Sequence, residues 1–214
     1  MTFTLAGACI GALIQVVLIT AHTLIQEHLS GTSKNYLIDI ILSAFLGYAF
    51  VGAFYSSFAL GYLIFFTLLG VTLFTDAWVM LISRHVTLRA VWIAWMLTMM
   101  KLLPLSFGDS LFGAFFGYML LLIVAKIAKK YFQQEALGQG DKDLLCMIGA
   151  FTGWQGCWFA LLIGSILGSC FGLILKIKNN NSLYHQQLPF GTFLAMGAIL
   201  YVLYSKTIYS LLLI

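Results

Sequence analysis

Long apolar stretches that carry almost no charge constrain the fold of this chain more than any other feature. Only 8% of its 214 residues are charged and 62% are hydrophobic, whereas about 25% of the residues of a soluble domain are charged. The stretches are apolar on every face and about 17–25 residues long, as a membrane-spanning helix requires. A transmembrane β-barrel would show segments of about 10 residues with alternating polarity. The sequence therefore predicts an all-α fold, a polytopic integral membrane helical bundle.

Polar residues divide the apolar sequence into about eight predicted transmembrane helices within a single membrane-embedded domain, residues 1–214. The approximate spans are residues 5–25, 36–54, 57–75, 90–106, 111–125, 144–157, 158–175 and 190–212. The stretch from Leu144 to Leu175 is long enough for two short spans. We expect a break between them near residues 153–156, where two glycines flank Trp154 and Gln155.

The basic residues are distributed unevenly between the two sides of this predicted bundle. With eight spans, one side holds the loops at residues 22–36, 76–89, 126–143 and 176–188. Nine of the eleven basic residues lie in these loops: Lys34, Arg84, Arg89, Lys126, Lys129, Lys130, Lys142, Lys176 and Lys178. The positive-inside rule therefore predicts that the four loops are cytoplasmic and that both termini are outside. The net charge of +4 reports this topology, and we expect no nucleic-acid partner.

Two acids are predicted at the boundary between an apolar run and a polar loop on this same side. Asp76 follows the run 61–75, and Asp141 precedes a run that begins at Leu144. Carboxylates near a bilayer are costly, so acids in this position are candidates for function. Gly138 and Gly140, on either side of Gln139, allow a tight turn and a close approach of another backbone to Asp141. We interpret Asp76 and Asp141 as one catalytic pair.

Other polar and sulfur-containing residues favour simpler roles. Asp143 is expected to be a solvated acid in a first helical turn, where the helix dipole favours negative charge, and Asp109 a structural turn residue on the opposite side. The four cysteines form no CxxC pair, which indicates neither a zinc site nor a disulfide framework. Nothing in the sequence indicates that the four histidines lie close together, so we expect no metal site. The sequence also suggests no cofactor.

Four ordered motifs resemble the type IV prepilin peptidases, a family of membrane aspartic proteases with a GxGD signature. The motifs are Phe107–Tyr118 (FGDSLFGAFFGY), Gly138–Asp141 (GQGD), Leu144–Trp154 (LLCMIGAFTGW) and Leu188–Ala195 (LPFGTFLA). The resemblance implies that Asp141 is the aspartate of the signature and that Asp76 takes the place of the first catalytic aspartate. Where the family usually has proline seven residues after the first aspartate, this chain has Ser83. Where it usually has lysine two residues after the second, this chain has Asp143.

The resemblance also implies an activity, a substrate and a location. An aspartic-type endopeptidase would remove the basic leader peptide of a type IV prepilin or pseudopilin at the cytoplasmic face of a bacterial inner membrane. Such systems serve type IV pili and type II secretion. The large cytoplasmic loop that carries the family's paired CxxC motifs is reduced here to roughly a dozen residues, so we expect a short, peptidase-only form without N-methyltransferase activity. The expected partners are the prepilin substrate and the lipid bilayer, and oligomeric state is left open.

Three alternatives remain open from the sequence. Asp76 alone could be a helix cap or an ion-pair partner of Arg84. The chain could be a catalytically inactive, peptidase-like scaffold, because it departs from the family pattern at Ser83 and Asp143. Paired acids could also serve an ion- or proton-coupled transporter, although transporters more often carry internal repeats and acids near mid-span. Which aspartate would act as base and which as acid is also left open.

The topology can be tested by cysteine labelling on sealed cells with a membrane-impermeant maleimide. We expect Ser33→Cys and Gln133→Cys to remain unlabelled until the membrane is permeabilised, because both positions lie in predicted cytoplasmic loops. Asp109→Cys, in the predicted turn on the outer side, should be labelled at once and is the matched control. Labelling of Ser33→Cys or Gln133→Cys from outside alone would show that the predicted orientation is wrong.

Overall fold

Helices form all the regular structure in the described part of the chain. The structure is a computed structural model that describes residues 46–49, 58–132, 138–178 and 189–212. After a short helical segment at residues 46–49, five longer helices follow: α1 (Ala59–Val79), α2 (Arg84–Met99), α3 (Phe107–Phe132), α4 (Gln139–Lys178) and α5 (Phe190–Leu212). The predicted all-α class is therefore confirmed.

The predicted number of about eight spans is not confirmed. Among the described residues, three helices are long and apolar enough to cross a membrane, namely Ala59–Val79, Phe107–Tyr131 and Gln139–Ile177, and Phe190–Ser205 is a shorter apolar helix. The predicted span 5–25, and span 36–54 apart from residues 46–49, lie outside the described residues.

Two helix ends differ from the predicted span boundaries for identifiable physical reasons. Helix α1 continues to Val79, so Asp76 lies inside its last turn and not at the start of a loop. Helix α2 ends at Met99, seven residues before the predicted boundary at residue 106. Pro104 explains the early end of α2, because a proline disfavours helical backbone in the residue before it and cannot donate the next helical hydrogen bond.

The chain reverses direction at Gly153, in the middle of α4. This residue has φ 77° and ψ −179°, a backbone region that is essentially restricted to glycine. The thiol of Cys157 lies 3.5 Å from the carbonyl oxygen of Leu145, although twelve residues of a straight helix would separate them by about 18 Å. Helix α4 is thus two arms, residues 139–152 and 154–178, folded against each other. The reversal lies in the predicted interval 153–156, earlier than the approximate boundary at residues 157 and 158.

The first arm of α4 packs closely against α3. A Cβ atom added to Gly149 would collide with the carbonyl oxygen of Gly113, and one added to Gly113 would collide with that of Gly149. The Ser110 hydroxyl donates a 2.6 Å hydrogen bond to the carbonyl of Ala150 near the reversal. Small residues let helix backbones approach in this way inside membranes, and α3 thereby fixes the arm that carries Asp141 in its first turn.

The second arm of α4 and helix α1 complete the bundle around a shared core. A Cβ atom on Gly197 of α5 would lie 2.6 Å from the carbonyl oxygen of Ala160 in the second arm. The rings of Phe65 in α1 and Phe151 in the first arm stack with centroids 4.7 Å apart. These contacts bring the end of α1 and the starts of α2, α4 and α5 to the same end of the bundle.

The α3–α4 contact predicts a strong size limit at Gly149. We expect Gly149→Ala to lower the free energy of unfolding by about 1–3 kcal/mol, because the added methyl group overpacks a backbone-to-backbone contact. Denaturant unfolding in detergent micelles measures the effect. Gly108→Ala is the matched control, because its Cβ would meet only the Ser106 Oγ atom, at 3.8 Å. Equal stability of the two variants would contradict the described crossing.

Candidate active site

Asp76 is a buried acid at the C-terminal end of α1. Its residue exposure is 5%, and its carbonyl oxygen accepts a 3.0 Å hydrogen bond from the amide of Met80, which has a left-handed φ of 53°. A carboxylate near a helix C-terminus is disfavoured by the dipole of its own helix. Other groups must therefore stabilise the Asp76 side chain.

The first turn of α5 supplies those groups. The amide of Thr192 donates a 2.7 Å hydrogen bond to Oδ2 of Asp76, and the Thr192 hydroxyl donates a second at 3.1 Å to the same oxygen. The amide of Gly191 also donates to this carboxyl group. Amides in the first turn of a helix have no partner within that helix and readily bind an anion. The N-terminus of α5 thus offsets the unfavourable position of Asp76 in α1.

Asp141 lies in the first turn of α4, where a helix dipole favours negative charge. Its residue exposure is 9%, and its carboxyl group accepts a hydrogen bond from the amide of Gly138, just before the helix. An acid that reaches back to the amide three residues earlier is half of a capping box. A Cβ atom on Gly138 would lie 3.3 Å from Oδ2 of Asp141. The three-residue spacing between Gly138 and Asp141 in the GxGD motif is therefore the spacing that this helix-capping hydrogen bond requires.

The side chain of Ile82 lies between the glycines at the starts of α4 and α5. A Cβ atom on Gly140 would be 2.7 Å from the Ile82 Cβ, and one on Gly191 would be 2.5 Å from the Ile82 Cδ1. Both glycines thus allow the loop between α1 and α2 to approach the two helix starts. The added Cβ on Gly191 would also lie 2.9 Å from Oδ2 of Asp76.

Through Ile82, these contacts link the positions of Asp76 and Asp141 at the same end of the bundle. The carboxyl groups of Asp76 and Asp141 lie close enough for the charge of Asp76 to act on Asp141. Gly138 and Gly140 lie beside Asp141 as expected, one at its carboxyl group and the other against Ile82. The predicted site residues therefore form one compact group at the end of the bundle.

Thr192 and Gly191 are site residues that the sequence alone does not connect to Asp76. They belong to the motif at residues 188–195. The available signal is a glycine and a threonine two and three residues after Pro189, in the first turn of a predicted helix, where backbone amides are free to bind an anion. Sequence alone does not show which anion those amides contact.

Asp143 is not the solvated acid that the sequence predicted. Its residue exposure is 1%, and its Oδ2 lies 3.4 Å from Nε of Arg84. The physical reason is helical geometry, because a residue two positions after Asp141 points about 200° around the helix axis. The side chain of Asp143 consequently faces α2 and not water. Arg84, a possible partner of Asp76 by sequence, makes an ion pair with Asp143 instead.

Asp109 has the structural role that was expected of it. It is exposed, its carboxyl accepts a 2.7 Å hydrogen bond from the Ser106 hydroxyl, and its amide donates a 3.1 Å hydrogen bond to that hydroxyl. This reciprocal pair caps the start of α3. Within the described ranges, no three His, Cys, Asp or Glu side chains are grouped in a way that could hold a metal ion.

Comparison with known proteins identifies a family and several relatives. The model of the type IV leader peptidase family matches residues 63–173, more than half of the chain. The chain is 38% identical over 104 residues to a prepilin leader peptidase/N-methyltransferase of Pseudomonas aeruginosa, covering 48% of this chain and 35% of the relative. It is 33% identical over 138 residues to the protein of that name in Aeromonas salmonicida, covering 63% and 46%. A Dichelobacter nodosus relative of that name is 29% identical over 180 residues, covering 82% and 60%.

These matches cover part of each relative. The chain spans about a third to three fifths of the length of these three proteins. No solved structure matches the chain significantly. The matched segment 63–173 contains both Asp76 and Asp141 together with the turn that carries Ile82. From this match, the chain belongs to the type IV leader peptidase family.

Proposed function

We propose that this chain is a membrane aspartic endopeptidase that removes the basic leader peptide of a type IV prepilin or pseudopilin. Asp76 and Asp141 form its catalytic dyad, at the cytoplasmic face of a bacterial inner membrane. The observation that carries the proposal is that these two carboxyl groups, from helices far apart in sequence, are both buried at the same end of the bundle, close enough for the charge of Asp76 to act on Asp141. Membership in the family and the names of the relatives support the choice of substrate.

The proposed chemistry requires one carboxylate and one carboxylic acid. Two carboxyl groups that lie close together do not both ionise readily, so they share one proton and titrate as a unit. The carboxylate removes a proton from a water molecule, whose oxygen forms a bond to the carbon of the scissile peptide. At the same time the carboxylic acid donates its proton to the carbonyl oxygen, and a neutral tetrahedral diol results. The two aspartates have then exchanged roles.

Breakdown of the diol completes the reaction and restores the dyad. The newly protonated aspartate gives its proton to the peptide nitrogen, and the bond between carbon and nitrogen breaks. The other aspartate takes a proton from one diol hydroxyl, which leaves a carboxylic acid on the leader and a free amine on the mature protein. One water molecule is consumed and no further reactant is needed.

The hydrogen bonds around Asp76 favour a particular assignment of these roles. Two donors from Thr192 converge on Oδ2 of Asp76, and charge-assisted hydrogen bonds of this kind stabilise a negative oxygen. Asp141 accepts a hydrogen bond from the Gly138 amide. In the proposed mechanism Asp76 is therefore the carboxylate that activates water, and Asp141 carries the shared proton at the start of the reaction.

The proposed substrate suits a site formed by helix ends. A peptide bond inside a helix does not present its carbonyl to an aspartate pair, so the substrate must be extended at the cut. A glycine before the scissile bond, as the family resemblance implies, weakens helix structure there by about 1 kcal/mol relative to alanine. The basic leader would remain on the cytoplasmic side, where the topology prediction places Asp76 and Asp141.

If Asp76 and Asp141 act as one dyad, each single substitution should reduce prepilin cleavage as much as the double substitution does. Asp76→Asn and Asp141→Asn should each abolish cleavage of a purified prepilin in detergent, because groups that act as a unit are strongly non-additive. The double variant should be no worse than either single variant. Mass spectrometry of the released leader and of the new N-terminus measures the reaction.

Asp109→Asn is the matched control, because Asp109 is an exposed first-turn acid in α3. It should keep the cleavage rate of the wild type. Retained cleavage by Asp76→Asn or Asp141→Asn would exclude the proposed dyad. Failure of folded wild-type protein to cleave any prepilin would favour the inactive-scaffold alternative.

The contact of Thr192 with Asp76 gives a second prediction. Thr192→Val should reduce the free energy of unfolding by about 1.5–3 kcal/mol, because the buried Asp76 carboxylate loses one of its hydrogen-bond donors. Cleavage should slow as well, since the remaining amides of Gly191 and Thr192 stabilise negative charge on Asp76 less effectively without the hydroxyl. Denaturant unfolding and prepilin cleavage assays measure the two effects.

Thr67→Val is the matched control for this substitution. The Thr67 hydroxyl donates only to the Leu63 carbonyl within its own helix, at 2.8 Å. Its loss should leave cleavage unchanged. If Thr192→Val and Thr67→Val have the same effect on cleavage, the hydroxyl of Thr192 does not support the dyad.

A further inference from the structure

Asp143 is a buried acid that the proposed catalytic mechanism does not use. The exposed fraction of its side chain is 2%, against 59% for its partner Arg84. Among the described residues, its Oδ2 accepts no hydrogen bond, and the Arg84 Nε atom is 3.4 Å away. A carboxylate held in this way is costly unless a nearby charge compensates it. This acid therefore depends on Arg84.

Arg84 is equally ill-placed for its own helix. It is the first residue of α2, whose N-cap Ser83 makes no side-chain cap hydrogen bond. Positive charge at a helix N-terminus is disfavoured by the dipole. Since Arg84 is unfavourably placed in its own helix and Asp143 is buried, the interaction that accounts for both is the ion pair between α2 and α4.

The ion pair lies close in sequence to Ile82, whose side chain lies between Gly140 and Gly191. Arg84 follows Ile82 by two residues, and Asp143 follows Asp141 by two. Ile82 in turn contacts the positions of Gly140 and Gly191, the glycines that precede Asp141 and Thr192. The ion pair thus joins the loop 80–83 to the same helix start that carries Asp141.

We propose that the Arg84–Asp143 ion pair is a positioning device that holds the loop 80–83 against the first turns of α4 and α5. It thereby fixes Asp141 relative to Asp76. This inference rests on the proposed function for its catalytic consequence, while its structural consequence can be measured without any substrate. Asp143 is too buried to contact a peptide, so it acts through the loop and is a positioning residue.

The kinetic test is Asp143→Asn, a substitution of nearly equal size. We expect kcat for prepilin cleavage to fall about 10- to 100-fold, since small misplacements of reacting groups have effects of this size. KM should remain within about twofold, because substrate binding is not altered. Asp109→Asn, the same change in the first turn of α3, should leave both constants unchanged.

A double-mutant cycle tests whether Asp143 acts through Ile82. Ile82→Ala should also reduce kcat, and the combined variant should be far less damaged than the product of the two effects, because both changes release the same loop. If the effects of Asp143→Asn and Ile82→Ala on kcat simply multiply in the combined variant, Asp143 does not act through Ile82. Arg84→Gln should be less stable than the Arg84→Gln/Asp143→Asn double variant, since only the single variant leaves a buried charge without compensation.

Hydrogen exchange gives the test that needs no activity. The amides of Met80, Val86 and Thr87 donate to the carbonyls of Asp76 or Ser83 at the two edges of the loop. In Asp143→Asn their exchange should accelerate, as expected for a segment that has lost an anchor. The amides of Met100 and Lys101, at the other end of α2, are the internal control and should exchange as in the wild type.

The two readouts separate failure of this inference from failure of the proposed function. If wild-type protein cleaves prepilin and Asp143→Asn changes neither kcat nor exchange of the loop, the positioning role is overturned. If wild-type protein cleaves no prepilin, the proposed function fails, and the exchange measurement still decides whether the ion pair holds the loop. Faster exchange with unchanged kcat would leave the pair a stability element only and would also overturn the positioning role.

Discussion

Keeping carboxyl groups buried in a bundle that is 62% hydrophobic by composition requires donors that apolar side chains do not provide. Helix ends supply them here, because the first amides of a helix have no partner of their own. Asp76 uses the first turn of α5, and Asp141 uses the amide that precedes its own helix. The meeting of several helix ends at one place is therefore a condition for having two acids there.

Close backbone approach is the second condition, and it limits which residues the site tolerates. Ile82 is a large side chain between Gly140 and Gly191, and each of these positions has no room for a Cβ atom. The same principle operates where Gly113 meets Gly149. Helix packing and the position of the acids therefore depend on the same small residues, so stability and site geometry are not separate properties in this chain.

The sequence predicted those features that depend on composition, spacing and local backbone chemistry. It predicted the all-α class, a break near residues 153–156, and two acids on one side of the bundle; the catalytic role of the acids and the cytoplasmic face stay predictions. It did not predict that Thr192 contacts Asp76 or that Asp143 is buried against Arg84. Those contacts join residues distant in sequence, and the direction of a side chain around a helix is known only once its neighbours are placed.

The reversal at Gly153 has a consequence for the register of the whole site. Residues 139–152 form a helical arm that begins near Asp141 and ends at one glycine with a backbone conformation that other residues rarely adopt. An insertion or deletion of one residue within this arm would rotate Asp141 by about 100° and shift it by about 1.5 Å along the axis. The position of Asp141 relative to Asp76 thus depends on the number of residues between Asp141 and the reversal at Gly153, at the opposite end of the bundle. The length of this arm is therefore as strict a requirement as the identity of the aspartates.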